Sequence, residues 1–378
     1  MRRLRGAAAI LAAGVLVLGA CTGDDDDDDA GDTTTTEAPA DDGGGDTGTD
    51  TGGGTGGGDG DTLAAVQDAG VLRCGTRDEL PGFAVLDSAG EHVGFDADFC
   101  RVIAAAVLGD AEAVEFVDLE TADRFTALQA GDIDVLVRNT TWTATRDGAE
   151  GATFLQPNFY DGQGMMVAAD AGFGSLEDLA GQVVCVAGGT TTEGNVATEF
   201  SRRGLEIPEV LPFDSPDLLQ VAFQEGRCDG WSSDLSQLTG LRSAYPDGPD
   251  SLVIFPDAFS KEPLAPAVAD GDSQWAQVVN WAVLATIQAE EFGLTSENVD
   301  QVLAETTDPN IRQFLGEAGE DAVLDPGLGL PTDFAYQVVS QVGSYAEIYD
   351  EHITPLGLER GLNSLWTDGG MLYAPPYR

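Results

Sequence analysis

Lysine is all but missing from this chain: Lys261 is the only one among 378 residues. Histidine is nearly as scarce, with His92 and His352 alone. Arg and Lys together number 17 against 66 Asp and Glu, a formal net charge of −49. These shortages exclude whole classes of function. Nucleic-acid binding needs clustered cations that displace counterions from phosphate, and none cluster here. A P-loop needs GxxxxGK followed by Ser or Thr, and the one lysine, in "FSKEP", has no such context. No CxxC occurs and no histidine neighbours a cysteine, so neither a metal nor another cofactor is expected. Apolar runs are short as well. The longest, "AAAILAAGVLVLGA", has 14 residues, where a transmembrane helix needs ~20.

That run does have a role at the N-terminus. The basic "MRRLRG" followed by it reads as a secretory signal over residues 1–20. "LGAC" then resembles the bacterial lipobox, in which small residues precede a cysteine that becomes lipidated. Cys21 is the expected lipidation site, placing the protein on the outer face of the cell membrane. Residues 22–61 follow with 14 acidic side chains, many Gly and Thr and almost nothing apolar. Such a segment cannot bury a core, so 21–61 is expected to be a lipidated, disordered tether. The remainder keeps 52 acidic and 14 basic residues. That surface suits a salt-rich habitat, where screening relieves self-repulsion.

Beyond residue 61 the pattern alternates. "VLRCGTR", "VEFVDL" and "DIDVLVRN" predict strands, separated by the helical "FDADFCRVIAAAVLG" and "ADRFTALQAG". A second series runs from "SLEDLAG" and "QVVCVAGG" through "TTEGNVATEFSRRG", "EVLPF", "SPDLLQVAFQEGRC" and "DGWSSD" to "LSQLTGLRSAYP". Two α/β units with mainly parallel sheets are expected. Residues from about 265 onward read as mostly helical, notably through "DSQWAQVVNWAVLATIQAEEFG" and "TDFAYQVVSQVGSYAEIYDEHI". Four cysteines remain after Cys21, an even count that implies disulfides in an exported protein but allows three connectivities. Pairing within each unit, Cys74–Cys100 and Cys185–Cys228, is expected because lobes that move should not be stapled together.

"VCVAGGTTTEGN" (184–195) is the sharpest local signal: a strand, a tight turn and a helix N-terminus, which is how backbone N–H groups gather around an anion. Without lysine, and with Glu193 inside it, the motif does not suit phosphate. Other strand ends supply companions. "RNTTWTATRD" offers Thr140, Thr141, Thr143 and the guanidinium of Arg146, and "GWSSDLSQL" offers Asp234. On local grounds Arg146 also suits a surface ion pair and Asp234 a helix N-cap. Together, guanidinium, carboxylate and helix N-terminus describe a site for a zwitterion. Phe83 and Phe125 are candidate apolar walls.

At these residues the chain resembles the amino-acid-binding proteins of ABC uptake systems, and among them the general L-amino-acid binders. "GVLRCGTRDELPGFAVLD", "RFTALQAGDIDVLVRNTTWTATRD", "FYDGQGMMV", "VCVAGGTTTEGN" and "RGLNSLWTDGGMLYAPPYR" carry the resemblance, which covers about Leu63 to Arg378. It implies an α/β, two-lobed type II periplasmic-binding fold with hinge strands near "FYDGQGMMV" and "LVIFPDAFSKEP" and a helical C-terminal extension. Lobe 1 would span 62–162 and 257–378, and lobe 2 would span 163–256. The resemblance also implies roles. Arg146 and Thr191, with Thr190 beside it, take the ligand α-carboxylate. Asp234 takes the α-amine, and Phe125 packs on the side chain. Thr141 contacts the ligand, and Asn139 lies near it. Basic-amino-acid binders place an acid and a tyrosine where this chain has "DELPGF", which leaves Asp78, Leu80 and Phe83 as selectivity candidates. The partners implied are a free L-amino acid and an ABC permease with its cytoplasmic ATPase, with no nucleic acid and no catalysis. A sensor module on this fold stays open. A dehydratase on it would need an acid/base set that these strand ends lack.

Overall fold

The structure is a computed structural model that describes residues 61–317 and 327–377. The signal, Cys21 and the tether up to residue 60 lie outside these residues.

The first sheet begins with β1 (Leu72–Thr76), which pairs in parallel with β2 (Val114–Asp118) and β3 (Val135–Leu136). The crossovers are α1 (Phe95–Leu108) and α2 (Arg124–Ala130). Helix α1 is rich in alanine, carries Asp96 and Asp98 in its first turn, and stops at Gly109, whose φ of 71° closes the last turn. Strand β3 is shorter than "DIDVLVRN" predicts. Backbone pairing is cut short as the chain turns at Asn139, whose φ of 34° is the only positive value of a non-glycine among the described residues. Asparagine tolerates that region because its short polar side chain bonds locally. Helix α3 (Ala144–Ala149) and β4 (Ala152–Phe154) complete this pass.

The chain crosses through β5 (Phe159–Asp161) into the second sheet. There it forms β6 (Gln163–Ala168), β7 (Val183–Ala187), α4 (Thr191–Arg203), β8 (Glu209–Phe213), α5 (Pro216–Gln224), β9 (Gly230–Asp234), α6 (Leu235–Ser243) and β10 (Leu252–Ile254). It returns through β11 (Glu262–Leu264), which pairs antiparallel with β5 and sets Glu262 opposite Asp161. Strand β12 (Ala267–Ala269) then joins the first sheet and leads into α7 (Ser273–Glu291). The sheet orders are β2-β1-β3-β12-β4 and β8-β7-β9-β6-β10. The β5–β11 ribbon is therefore the covalent bridge between two lobes, in the stretches the resemblance indicates.

Packing explains the C-terminal extension. The stretch "TDFAYQVVSQVGSYAEIYDEHI" forms two helices, α8 (Phe334–Gln341) and α9 (Tyr345–His352). Gly343, with φ of 115°, breaks the run, and Ser344 with Glu347 makes a capping box that starts the second helix. Tyr345 and Tyr349 then reach edge-on to Phe95, with ring centres 5.8 and 6.4 Å away. Each such ring, fully buried, contributes about 2–3 kcal/mol. Beyond α9, the carboxamide of Asn363 brackets the hinge strand. It accepts from the Tyr160 N–H at 2.7 Å and donates to the Tyr160 carbonyl at 3.1 Å.

Both disulfides form within a lobe. Cys74–Cys100 ties β1 to α1, and Cys185–Cys228 ties β7 to the turn before β9, with Cα separations of 6.0 and 5.7 Å. The lobes also touch. A Cβ on Gly240 of α6 would sit 2.5 Å from the Pro81 carbonyl oxygen across the cleft, so only glycine allows this approach.

Candidate functional site

The carboxyl ends of β1, β3, β7 and β9 point into a cleft of about 430 Å³ between the lobes, where open α/β sheets place their ligands. Lobe 1 lines it with Arg77 after β1, Thr121 and Arg124 ahead of and at the start of α2, Arg138, Asn139 and Thr141 after β3, and Arg146 of α3. Lobe 2 adds the turn from Ala187 to Thr192, Pro216, and Ser233, Asp234 and Gln237.

Asp234 stands at the N-cap of α6, yet its side chain caps nothing. It accepts no hydrogen bond from any described residue, although it is 6 % exposed and its Oδ1 is fully enclosed. Burial pushes its carboxyl well above the usual carboxylate range, and Asp161 and Glu262 push it further. A buried acceptor left open this way is costly and awaits a donor.

Arg146 is also buried, and its guanidinium donates to the Thr141 carbonyl at 2.9 Å and forms no ion pair with any described residue. Thr143 caps its helix by accepting from the Arg146 N–H. Facing it across the cleft is the start of α4. Thr190 occupies the N-cap but does not cap: its hydroxyl donates to the Ala187 carbonyl at 2.6 Å. The Thr191 hydroxyl donates to Glu262 at 2.9 Å, and Asn195 donates to the same carboxylate at 2.8 Å. The first N–H groups of α4, on Thr191 and its neighbours, thus lack a side-chain cap and face the cleft.

Of the residues singled out in the sequence, Arg146, Asp234, Thr190, Thr191, Thr141 and Asn139 all line one cleft. Phe125 lies under it, its ring 5.1 Å from the Arg124 guanidinium and 5.8 Å from that of Arg146. Phe83 is a correction. It is fully buried in the lobe 1 core against Phe95 and Phe159, with ring centres 5.9 and 5.3 Å away. Packing into that aromatic cluster removes it from the cleft. Leu80 is likewise core, and Asp78 is exposed.

Three arginines escaped sequence reasoning: Arg77, Arg124 and Arg138, which are 3 %, 4 % and 2 % exposed. Arg77 pairs with Glu79 at 2.7 Å and donates to Asn139 at 3.1 Å. Arg138 donates to the Leu119 carbonyl at 2.8 Å and to Thr121 at 3.2 Å. Arg124 has one long bond, 3.5 Å to the Gly189 carbonyl of the other lobe. Burial lowers the guanidinium of Arg138 to about 9, with Arg77 adding to the effect. Burial also lowers that of Arg124 well below its ordinary value, with Arg146, Arg138 and Arg77 adding to the effect. A signal for Arg77 and Arg138 existed: each lies just past a strand end in a body with few cations, whereas Arg124 opens α2. Asn139 also donates to Gln237 of lobe 2 at 3.3 Å, a second polar link across the cleft.

Two α/β lobes hinged on a two-strand ribbon, with unpartnered charges facing a shared cleft, define a two-lobed solute receptor. The family model for bacterial extracellular solute-binding proteins, family 3, matches residues 72–298, and the chain belongs to that family. It is 44 % identical over 320 residues to the general L-amino acid-binding periplasmic protein of Rhizobium johnstonii, covering 84 % of this chain and 93 % of that one. It is 42 % identical over 320 residues to the glutamate/glutamine/aspartate/asparagine-binding protein of Rhodobacter capsulatus, with the same coverage of 84 % and 93 %. Among solved structures, a periplasmic binding protein of an ABC transporter from Brucella ovis with glutathione bound matches at 41 % identity and a TM-score of 0.80, covering 84 % of this chain and 99 % of that one.

Proposed function

We propose that the protein captures L-amino acids in the interlobe cleft and passes them to an ABC permease driven by a cytoplasmic ATPase, held at the outer membrane face by a lipid on Cys21. The lobes are 62–162 with 257–378, and 163–256. The observation that carries this reading is the unpartnered Asp234 carboxylate sharing a cleft with the unpaired Arg146 guanidinium. The α-ammonium group meets Asp234. The α-carboxylate bridges Arg146 and the N–H groups at the start of α4, charge-assisted contacts that need no rearrangement of the walls. Thr141 and Asn139 border the head group, Thr190 shapes the turn, and Phe125 backs the side chain. The names of the relatives agree with amino acids as cargo. No bond is broken; ligand shifts the hinge toward its closed position.

A thermal-shift screen against the twenty L-amino acids tests this. Ligand at 100 times its Kd stabilises the folded protein by about 2.7 kcal/mol. The N-acetyl and methyl-ester derivatives of the best ligand should give no shift. Equal shifts from the derivatives, or none from any amino acid, would overturn the assignment.

A further inference from the structure

The two groups assigned to the ligand α-carboxylate come from different lobes: the Arg146 guanidinium of α3 and the first N–H groups of α4. Both are fixed to one short strand, β11. On the lobe 1 side, the Trp142 N–H donates to the Pro263 carbonyl at 2.8 Å, and the Ala265 N–H donates to the Thr140 carbonyl at 3.0 Å. Between those bonds Thr141 stands opposite Leu264, and the Thr141 carbonyl is the acceptor that holds the Arg146 guanidinium. On the lobe 2 side the link is the Glu262 side chain. One carboxylate oxygen accepts from the Thr191 hydroxyl at 2.9 Å and the other from the Asn195 amide at 2.8 Å. The Ser260 hydroxyl donates to that second oxygen as well.

Thr191 and Asn195 are four positions apart on α4 and therefore share one face of it. A carboxylate that grips both fixes the rotation of the helix, and with it the direction in which the free N–H groups point. Glu262 and Leu264 are separated by two residues of extended strand, roughly 7 Å, a rigid spacer between the lobe 2 grip and the carbonyl under Arg146. Glu262 is 1 % exposed, is not among the residues lining the cleft, and forms no ion pair with any described residue. Burying such a carboxylate is costly unless donors surround it. Its three donors match an ionised carboxylate, which only accepts; a glutamine would turn an N–H₂ toward one of them.

We propose that Glu262 is a positioning residue for the ligand α-carboxylate: from outside the cleft it sets the N-terminus of α4 at a fixed distance and angle from Arg146, so that one carboxylate meets both. This rests on the head-group assignment above and adds to it a residue that touches no ligand. Within lobe 2 the start of α4 has a second hold, the Gln163 amide donating to the Thr192 carbonyl at 3.0 Å, so the helix should stay folded when Glu262 is replaced.

The test is calorimetry on the intact protein with its tightest-binding L-amino acid, alongside urea unfolding without ligand, in Glu262→Met, Asn195→Ala and the double variant. Glu262→Met keeps the side-chain length and removes both acceptors; Kd should rise about 10- to 100-fold, as when the partner that orients a binding group is lost. Asn195 is also not among the residues lining the cleft, so Asn195→Ala reaches the ligand only through the helix. It should raise Kd about three- to tenfold, the worth of one hydrogen bond. Because both act through one grip, the double variant should bind within about threefold of Glu262→Met. A merely structural Glu262 would lower the urea midpoint and leave Kd within about threefold of wild type, which overturns the proposal. Losses that multiply in the double variant overturn it too, since Glu262 then acts other than through α4. If Glu262→Met does not fold, Asn195→Ala decides: a loss in the stated range supports the proposal and an unchanged Kd overturns it. The methyl ester of the same amino acid tells the two readings apart. Ester binding as tight as that of the free acid removes the carboxylate site itself, whereas ester rejection with unchanged variants removes only Glu262 from its support.

Discussion

Replacing Arg146 with methionine separates what the residue does for binding from what it does for folding. Arg146 is 8 % exposed, and its guanidinium has one hydrogen bond and no ion pair among the described residues. Methionine of similar length removes a desolvated charge and leaves the Thr141 carbonyl without that donor. An orphaned buried acceptor costs about 1–3 kcal/mol, and relief from burying an unpaired charge offsets it. The free protein should therefore change in stability by less than about 2 kcal/mol. Binding is another matter, because the ligand carboxylate would enter a buried site without its partner. That loss is worth about 3–5 kcal/mol, or roughly 200- to 5,000-fold in Kd. At a ligand concentration of 100 wild-type Kd, the stabilisation by ligand should fall from about 2.7 to under about 0.3 kcal/mol. Urea unfolding with and without the tightest-binding amino acid reads both quantities, and calorimetry gives Kd directly. A Kd within tenfold of wild type refutes the site. A drop of more than about 3 kcal/mol in the free protein shows instead that Arg146 is structural.

Two further outcomes follow from the structure and one from the sequence. Burial pushes the Asp96 carboxyl up to about 7, whereas the unfolded chain ionises it near 4. Between those values the unfolded chain gives up a proton that the folded one keeps, so this group lowers stability as pH rises from about 4 to about 7, by about 4 kcal/mol. Asp96→Asn, whose amide oxygen can still accept from the Asn139 N–H, should flatten that slope in urea titrations; parallel slopes for the two proteins refute it. Removing the Cys185–Cys228 bridge with a double alanine variant frees a loop of sequence separation 43, which by chain entropy costs about 4 kcal/mol; a loss under about 1 kcal/mol would contradict the model. Cys21→Ala should release the protein into the medium on cell fractionation, and continued membrane retention would contradict the lipid anchor.

The strands and helices were legible because the chain obeys local rules. Buried parallel strands such as Val183–Ala187 read as apolar runs, and glycines such as Gly109 and Gly204 mark helix ends. Arg146, Asp234 and Thr191 were legible because strand ends in α/β sheets gather at one cleft. Three things were not. Strand β3 is short because Asn139 adopts a left-handed conformation, which asparagine permits but does not announce. Phe83 belongs to a cluster of rings contributed by β5, α1 and α9, so its burial is decided by residues as distant as Tyr349. Arg124 and Arg138 look in sequence like Arg73 or Arg101, which end in ion pairs; only the fold shows which guanidiniums lack an acid, and only the fold buries Arg77.

The grip of Asn363 on Tyr160 has a mechanical consequence. Through it Tyr160 of β5 is fastened to the C-terminal extension, whereas Gln163 is tied to Phe259 and Ser260 by bonds of 2.9 and 3.1 Å. Asp161 and Gly162 are held from lobe 2 as well, the Ser236 N–H donating to the Asp161 carboxylate at 3.2 Å and the Leu235 N–H to the Gly162 carbonyl at 2.8 Å. Attachment thus changes from one lobe to the other in a single residue step, a crease between Tyr160 and Asp161 beside which Lys261 adjoins Glu262, the ribbon partner of Asp161. The chain's sole lysine stands exposed at that crease. Apart from the amino terminus, a single amine-reactive dye would therefore label the hinge alone and report its angle without any engineered residue.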